Sequence, residues 1–95
     1  MNRVGDFLRV TREELDIQQK EVYLDLNFAH SLISGHELGS RTIQLKHLVS
    51  YIDYYKLDRP KMIALWLADL IDFKLKDVES SETIVKELRL YLAKV

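Results

Sequence analysis

The chain of 95 residues contains no cysteine, one proline and three glycines. Without cysteine it can form neither a disulfide framework nor a zinc–thiolate site. No apolar run approaches the length that spans a membrane, and the first residues, MNRVGDF, lack the apolar core of a signal peptide. We therefore expect a cytoplasmic protein without a membrane segment.

Neither sign of charge is in excess, because 14 Lys and Arg stand against 15 Asp and Glu. Over residues 1–46 the sequence has six basic and seven acidic side chains. Bulk charge therefore does not indicate a nucleic acid or a membrane as a partner, although charge can still be placed unevenly on the surface. Since 47% of the residues are hydrophobic, the chain can bury one modest core, and we expect a single compact unit.

Apolar residues recur with a helical period along the whole chain. The spacing predicts helices over about residues 2–15, 19–26 and 29–37. Three more helices are predicted, one with Thr42 as its N-cap, one capped by Asp58, and one opened by the segment ESSET. No useful stretch alternates as strands do, so the predicted fold class is all-α.

Three residues with unusual backbone preferences lie in the first half of the chain. Asn27 tolerates the left-handed conformation that a turn needs, and Gly39 is placed to end the third helix. Gly35 lies inside that helix, where glycine costs roughly 1 kcal/mol relative to alanine. Either the backbone at Gly35 comes close to something, for which a DNA backbone is one candidate, or the helix is locally loose there; both explanations stay open.

Two short helices joined by a tight turn form the outline of a helix-turn-helix. The residues that make the pattern more specific are, in chain order, Arg12, Gln19, Val22, Asn27, Ile33, Ser34, Glu37, Gly39, Leu45 and Leu48. With these residues, the segment 3–57 resembles the Cro and phage-repressor type of helix-turn-helix domain. The resemblance implies a five-helix lambda-repressor-like fold with an additional C-terminal helix. The expected division is a helix-turn-helix DNA-binding domain over residues 1–58 and a helical dimerisation extension over residues 59–95 that packs on it.

The resemblance also implies roles for individual residues. Arg12 would form an ion pair with Glu37, and the third helix would enter the major groove of DNA. There Ser31 could hydrogen-bond a base or a phosphate, while Arg41 would reach a flanking phosphate. The full set of expected DNA contacts is Gln18, Gln19, Ala29, His30, Ser31, Ser34, Gly35, Ser40, Arg41 and Lys46.

Three features depart from the pattern of that family. Gln18 occupies a place where a serine or threonine cap is usual, and glutamine is a poor cap. Tyr23 stands where a small residue usually lies between the two helices, so it should push them apart or swing outward. The third helix lacks Arg and Lys, so the commonest guanine contact is missing. We therefore expect one copy of the chain to bind DNA with modest affinity, so that the functional form is a dimer.

The segment LWLADLIDFKL is too apolar for a simple surface helix. We expect residues from about 60 to 95 to form a symmetric homodimer, although packing back on the same chain stays possible. The expected interface residues are Leu65, Trp66, Ile84, Leu88, Tyr91 and Val95. Trp66 and the tyrosines of YIDYYK could also form a nucleic-acid stacking platform. Core or dimer contacts are the favoured interpretation, because interleaved Arg and Lys are missing.

The leading interpretation is a dimeric transcriptional regulator that represses or activates by occupying a double-stranded DNA operator. It would need no cofactor or metal and would have no small-molecule substrate. The alternative is a protein-interaction or antitoxin-like module with the same fold and weak or no DNA binding. An enzyme is not expected, since solvated helix faces explain the acidic pairs Asp69 with Asp72 and Glu13 with Asp16.

Overall fold

The computed structural model describes residues 2–93, which form six α-helices and no strand. The helices are α1 Arg3–Glu14, α2 Gln19–Leu26, α3 His30–Leu38, α4 Leu45–Tyr55, α5 Arg59–Leu75 and α6 Ser81–Leu92. The predicted all-α class is confirmed. Within the described range, no helix is long and apolar enough to cross a membrane.

Local chemistry explains three of the helix ends. Asn27 ends α2 in the left-handed conformation with φ 57° and ψ 41°, and Gly39 ends α3 with φ 83°. The carboxylate of Asp58 accepts a hydrogen bond from the Lys61 N–H at 3.3 Å and caps α5, with Pro60 in its first turn. These three predictions are confirmed. The prediction of Thr42 as a cap is wrong, because α4 begins three residues later at Leu45.

One core holds the first five helices together. α1 packs on α3 and α5, α2 packs on α3, and α4 packs on α5. The buried apolar side chains are Val4, Leu8, Val22, Ile33, Ile43, Leu48, Tyr51, Ile52, Tyr55 and Met62. Tyr51 and Tyr55 therefore belong to the core, and they are not exposed as a stacking platform would require.

The first half of α5 packs against this core. Met62 is fully buried, and the indole N–H of Trp66 donates to the Ile43 carbonyl oxygen at 2.7 Å. Leu65 and Trp66 are half-buried against the core of their own chain. Both residues therefore pack partly on the core of their own chain, and their place in a dimer interface stays a prediction.

A carboxylate on α5 holds the start of α1. Asp69 accepts hydrogen bonds from the backbone N–H groups of Arg3 at 3.1 Å and Val4 at 3.0 Å. The Arg3 guanidinium also pairs with Asp69 at 3.1 Å, and its Nη1 lies 2.6 Å from Oδ2 of Asp72. The first N–H groups of a helix have no partner within the helix, so Asp69 does for α1 what a capping residue would do.

The C-terminal helix has a different environment. No described residue of α6 is buried, and Leu90, Tyr91 and Leu92 are each about 60% exposed (59%, 65% and 62%). Ile84 and Leu88 lie beside the second half of α5 and line an apolar groove with Leu67, Leu70, Ile71, Lys74 and Leu75. Val95, which the sequence places in the dimer interface, lies outside the described residues.

Candidate nucleic-acid interface

The turn between α2 and α3 is short and internally bonded. Asn27 donates its N–H to the Leu24 carbonyl at 3.3 Å, and Phe28 donates to the Tyr23 carbonyl at 3.0 Å. The Phe28 ring then meets His47 and Tyr51 edge to face, with ring centroids 4.8 Å and 5.7 Å apart. Because Phe28 packs against α4 in this way, the direction in which α3 leaves the turn is set by the core.

An internal ion pair holds the other end of α3. The Arg12 guanidinium donates to both carboxylate oxygens of Glu37, at 2.9 Å from Nε and 3.0 Å from Nη2. Its Nη1 donates to the Ile17 carbonyl at 2.9 Å. The hydrogen bond to Glu37 raises the pKa of Arg12 above its usual value. Arg12, which belongs to α1, thus contacts both α3 and the loop that precedes α2. Its pair with Glu37 is the one that the resemblance implied.

Gln19 belongs to the same network. Its amide Nε2 donates to Glu37 Oε1 at 3.1 Å, and the side chain is half-buried. One of the two donors of this amide is therefore directed to a carboxylate inside the domain, and a contact of Gln19 with a DNA phosphate stays a prediction. Gln18, the residue before α2, is exposed and makes no side-chain capping hydrogen bond, as expected of glutamine.

The N-terminal edge of α3 is open to solvent. Ala29, His30 and Ser31 are all exposed, and Ser34, one turn further, is half-exposed. Ile33, His36 and Glu37, further along the same helix, are buried. The start of α3 is therefore exposed with small or polar side chains, while the rest of the helix is fixed in the core.

Tyr23 does not separate the two helices. Val22 on α2 and Ile33 on α3 are both fully buried, so the helices remain in close contact. Tyr23 is half-buried at the margin of the core, and its ring centroid lies 5.2 Å from that of His30 at an interplanar angle of 35°. Of the two outcomes that the sequence allowed, the tyrosine lies to the side, where it contacts one of the residues expected to face bases.

The loop after α3 and the first turn of α4 each supply a cation. Ser40, Arg41 and Thr42 are exposed, as is Lys46 in the first turn of α4. α3 itself contains no Lys or Arg. The positive charge that follows α3 therefore comes from Arg41 in the loop and from Lys46 at the start of α4.

Gly35 is buried, although the sequence placed it among the DNA contacts. A Cβ atom on Gly35 would lie 2.7 Å from Cγ and 2.8 Å from Cδ of Arg41. The close approach at Gly35 is therefore made by a side chain of the same protein. Of the two explanations left open by the sequence, the close approach is the one observed, and a contact of Gly35 with DNA stays a prediction.

Behind the exposed edge lies a buried polar group that the sequence did not reveal. His36 is 0% exposed, and its Nδ1 lies 2.7 Å from Oη of Tyr51 on α4. The His47 ring lies 5.5 Å from that of His36. Burial lowers the pKa of His36 to about 4, and the charges of His47 and Arg41 act in the same direction. At neutral pH the imidazole of His36, buried between α3 and α4, is therefore uncharged.

Comparison with known proteins adds no relationship to this description. No protein-family model, no curated protein and no solved structure matches the chain. What the interface does must be inferred from its own residues.

Proposed function

We propose that this chain is a sequence-specific DNA-binding transcriptional regulator of the Cro and phage-repressor type, with α2 and α3 as the helix-turn-helix of a lambda-repressor-like domain. In this proposal α3 lies in the major groove and its N-terminal edge, Ala29, His30 and Ser31, faces the base edges. The exposure of that edge supports this most directly, since the rest of α3 is held by the core and by the pair of Arg12 with Glu37.

The chemistry of the edge suits a groove. A serine hydroxyl and an imidazole can each donate or accept, so both can read base edges, and the Ala29 methyl can pack on the C5-methyl group of thymine. Arg41 and Lys46 follow α3 and would contact phosphates, whose neutralisation supplies affinity that falls with salt. Ser40 and Thr42 add hydroxyl donors to the same loop.

A homodimer completes the proposal. α6 is 12 residues long and has no buried residue, and an isolated helix of that length is marginal in water. Together with α5 it lines an apolar groove of about 360 Å³. Leu67 and Ile84 at this groove are 47% and 39% exposed. A second copy of the chain is the proposed occupant.

Charge at the groove agrees with a symmetric partner. Lys74 lines it from α5, and Glu87 follows Ile84 by three residues on α6 and so lies on the same helix face. When two identical grooves face each other across a two-fold axis, the cation of one can meet the anion of the other. Each dimer would present two α3 helices to half-sites about one DNA turn (roughly 34 Å) apart.

One observation favours a second function. α3 carries no Lys or Arg, and two leucines near the helix ends are exposed, Leu24 by 62% and Leu38 by 74%. Both features suit a surface that binds another protein, since exposed leucine adds apolar contact area and an uncharged surface does not repel a protein partner. The alternative is therefore a protein-interaction or antitoxin-like module with weak or no DNA binding.

Retardation of duplex DNA separates the two functions. Genomic fragments are mixed with the protein at about 50 mM salt and resolved on a native gel, and the retained fragments are sequenced. A regulator retains a subset with a shared two-fold sequence, and its affinity falls as salt is raised. A protein-interaction module retains no fragment at protein concentrations up to about 100 μM, a range that includes typical non-specific affinities, or it retains fragments that share no sequence.

A further inference from the structure

Gly35 leaves a space on α3 that the stem of Arg41 fills. A Cβ at Gly35 would lie 2.7 Å, 2.8 Å and 3.1 Å from Cγ, Cδ and Cβ of Arg41. The first two distances are too short for two carbon atoms, whose optimal separation is about 3.5–4.0 Å. Gly35 is not among the residues with positive φ, so its backbone conformation does not require glycine. Glycine is therefore needed at position 35 because it has no Cβ atom, and not because of its backbone freedom.

The backbone holds Arg41 at the same place. The Gly35 carbonyl oxygen accepts the N–H of Gly39 at 3.0 Å and the N–H of Arg41 at 3.2 Å. Because Gly39 adopts φ 83°, the chain turns back toward α3 as the helix ends. Main chain and side chain of Arg41 are therefore both in contact with the same residue of α3, while the arginine as a whole stays exposed.

We propose that Gly35 is a positioning residue for Arg41: it opens a slot on α3 in which the arginine stem lies, so that the guanidinium is presented beside a helix that has no cation of its own. This inference rests on the proposed function, since the guanidinium acts there on a DNA phosphate. A long, exposed arginine otherwise samples many rotamers, and restricting it before binding lowers the entropy lost on contact.

The slot can be filled without unfolding the domain. The two shortest contacts of an added methyl are to Cγ and Cδ of Arg41, which a change of rotamer moves away, whereas Cβ at 3.1 Å must shift slightly with the backbone. Four proteins form the test: the natural chain, Gly35→Ala, Arg41→Ala and the double variant. Affinity is measured by fluorescence anisotropy with a mixed-sequence duplex of about 25 base pairs at low salt, because phosphate contacts do not depend on sequence.

The expected pattern is strongly non-additive. Arg41→Ala weakens binding about tenfold, as loss of one charged hydrogen bond does, and lowers the slope of log affinity against log salt by about 0.9. Gly35→Ala weakens binding by a comparable factor, whereas adding it to Arg41→Ala changes nothing further. Equal weakening by Gly35→Ala in both backgrounds, or no weakening in the natural one, overturns the inference.

Thermal unfolding tests the slot without DNA. In the Arg41→Ala background, Gly35→Ala raises the unfolding midpoint, because alanine is the better helix former and only Cβ of residue 41, at 3.1 Å, remains close to the added methyl. In the natural background the rise is smaller or reversed. The same shift in both backgrounds contradicts the slot even if the protein binds DNA. If the natural chain binds no duplex but the shifts of the unfolding midpoint are unequal, the proposed function is contradicted. The packing of Arg41 on Gly35 is supported in that case.

Discussion

The side chains of Arg12 and Glu37 meet in two parallel hydrogen bonds, 2.9 Å from Nε to Oε2 and 3.0 Å from Nη2 to Oε1. The pair joins α1 to the C-terminal half of α3, and Gln19 on α2 donates to the same carboxylate. Three helices are thereby held at one point on the side of α3 that faces the core. The orientation of the exposed edge depends on this point.

Removal of Arg12 should destabilise the fold strongly. Arg12→Ala leaves the Glu37 carboxylate, which is 4% exposed, without its cation, and unpaired buried charges of this kind cost about 3–5 kcal/mol. Urea denaturation followed by circular dichroism measures the loss. Arg9→Ala is the matched control, because Arg9 pairs with Glu13 on the exposed face of α1 at 2.6 Å. That surface pair contributes about 0.3–0.5 kcal/mol. Similar losses in the two variants would contradict the role given to Arg12.

Stability should fall on acidification because of His36. Its pKa is about 4 in the folded protein and near 6.5 in an unfolded chain, so between these values the unfolded state binds more protons. The contribution of neutral His36 to the free energy of unfolding is fully present above about pH 6.5. About 3 kcal/mol of it is lost as the pH falls to 4. Denaturant midpoints across this range measure the slope.

Histidine variants identify the source of that slope. In His36→Asn the part of the slope due to His36 should disappear, although the loss of packing and of the Tyr51 hydrogen bond lowers stability at every pH. His30→Asn, at an exposed histidine of the same helix, controls for the exchange of histidine for asparagine itself. An unchanged slope in His36→Asn would assign the acid sensitivity to other groups, among which His47 also has a pKa lowered by burial.

Asp69 should stabilise the first helix from a distance. Asp69→Ala removes the acceptor of the Arg3 and Val4 N–H groups and should cost about 1–2 kcal/mol, as loss of a helix cap does. Asp72→Ala is the matched control, because Asp72 pairs with the Arg3 side chain and its own side chain is 40% exposed. Its loss should cost less than about 1 kcal/mol. Hydrogen exchange of the α1 amides should quicken in the first variant; equal exchange in both would show that Asp69 does not cap α1.

Two substitutions on the candidate interface should affect DNA binding in different ways. Lys46→Ala should weaken binding to all duplexes alike and reduce the salt slope by about one. Ser31→Ala should leave that slope unchanged and alter the base preference at one position of the selected site by about 1 kcal/mol. Selection from a randomised duplex library, followed by titration at several salt concentrations, distinguishes them. Uniform weakening by Ser31→Ala would remove the serine from the base-reading edge.

The proposed dimer should depend on the groove between α5 and α6. Leu67→Glu places a charge in a contact that excludes water, so sedimentation should show a monomer where the natural chain is a dimer. Leu24→Glu is the control: Leu24 is 62% exposed on α2, far from this groove in sequence, and the dimer should persist. A monomeric natural chain, or a dimer that survives Leu67→Glu, would show that a second copy does not occupy the groove.

Several features of the candidate site were beyond prediction from sequence. The resemblance pointed to Arg12 and Glu37 and to the exposed residues of α3, but it assigned Gln19 to phosphate and Gly35 to DNA. Both residues make contacts within the chain, to Glu37 and Arg41. Nothing in the one-dimensional pattern distinguishes a glutamine that faces solvent from one that faces a buried carboxylate, because that depends on how α2 and α3 cross.

By itself, the sequence determined the features that depend on neighbouring residues. The all-α class, the turn at Asn27, the stop at Gly39 and the cap at Asp58 follow from backbone preferences and apolar spacing over a few positions. Only the tertiary structure decided that Asp69 caps α1 from 66 residues away, that Trp66 bonds to Ile43, and that His36 is buried against Tyr51. Partners so distant in the chain meet because of helix packing, which no local spacing encodes.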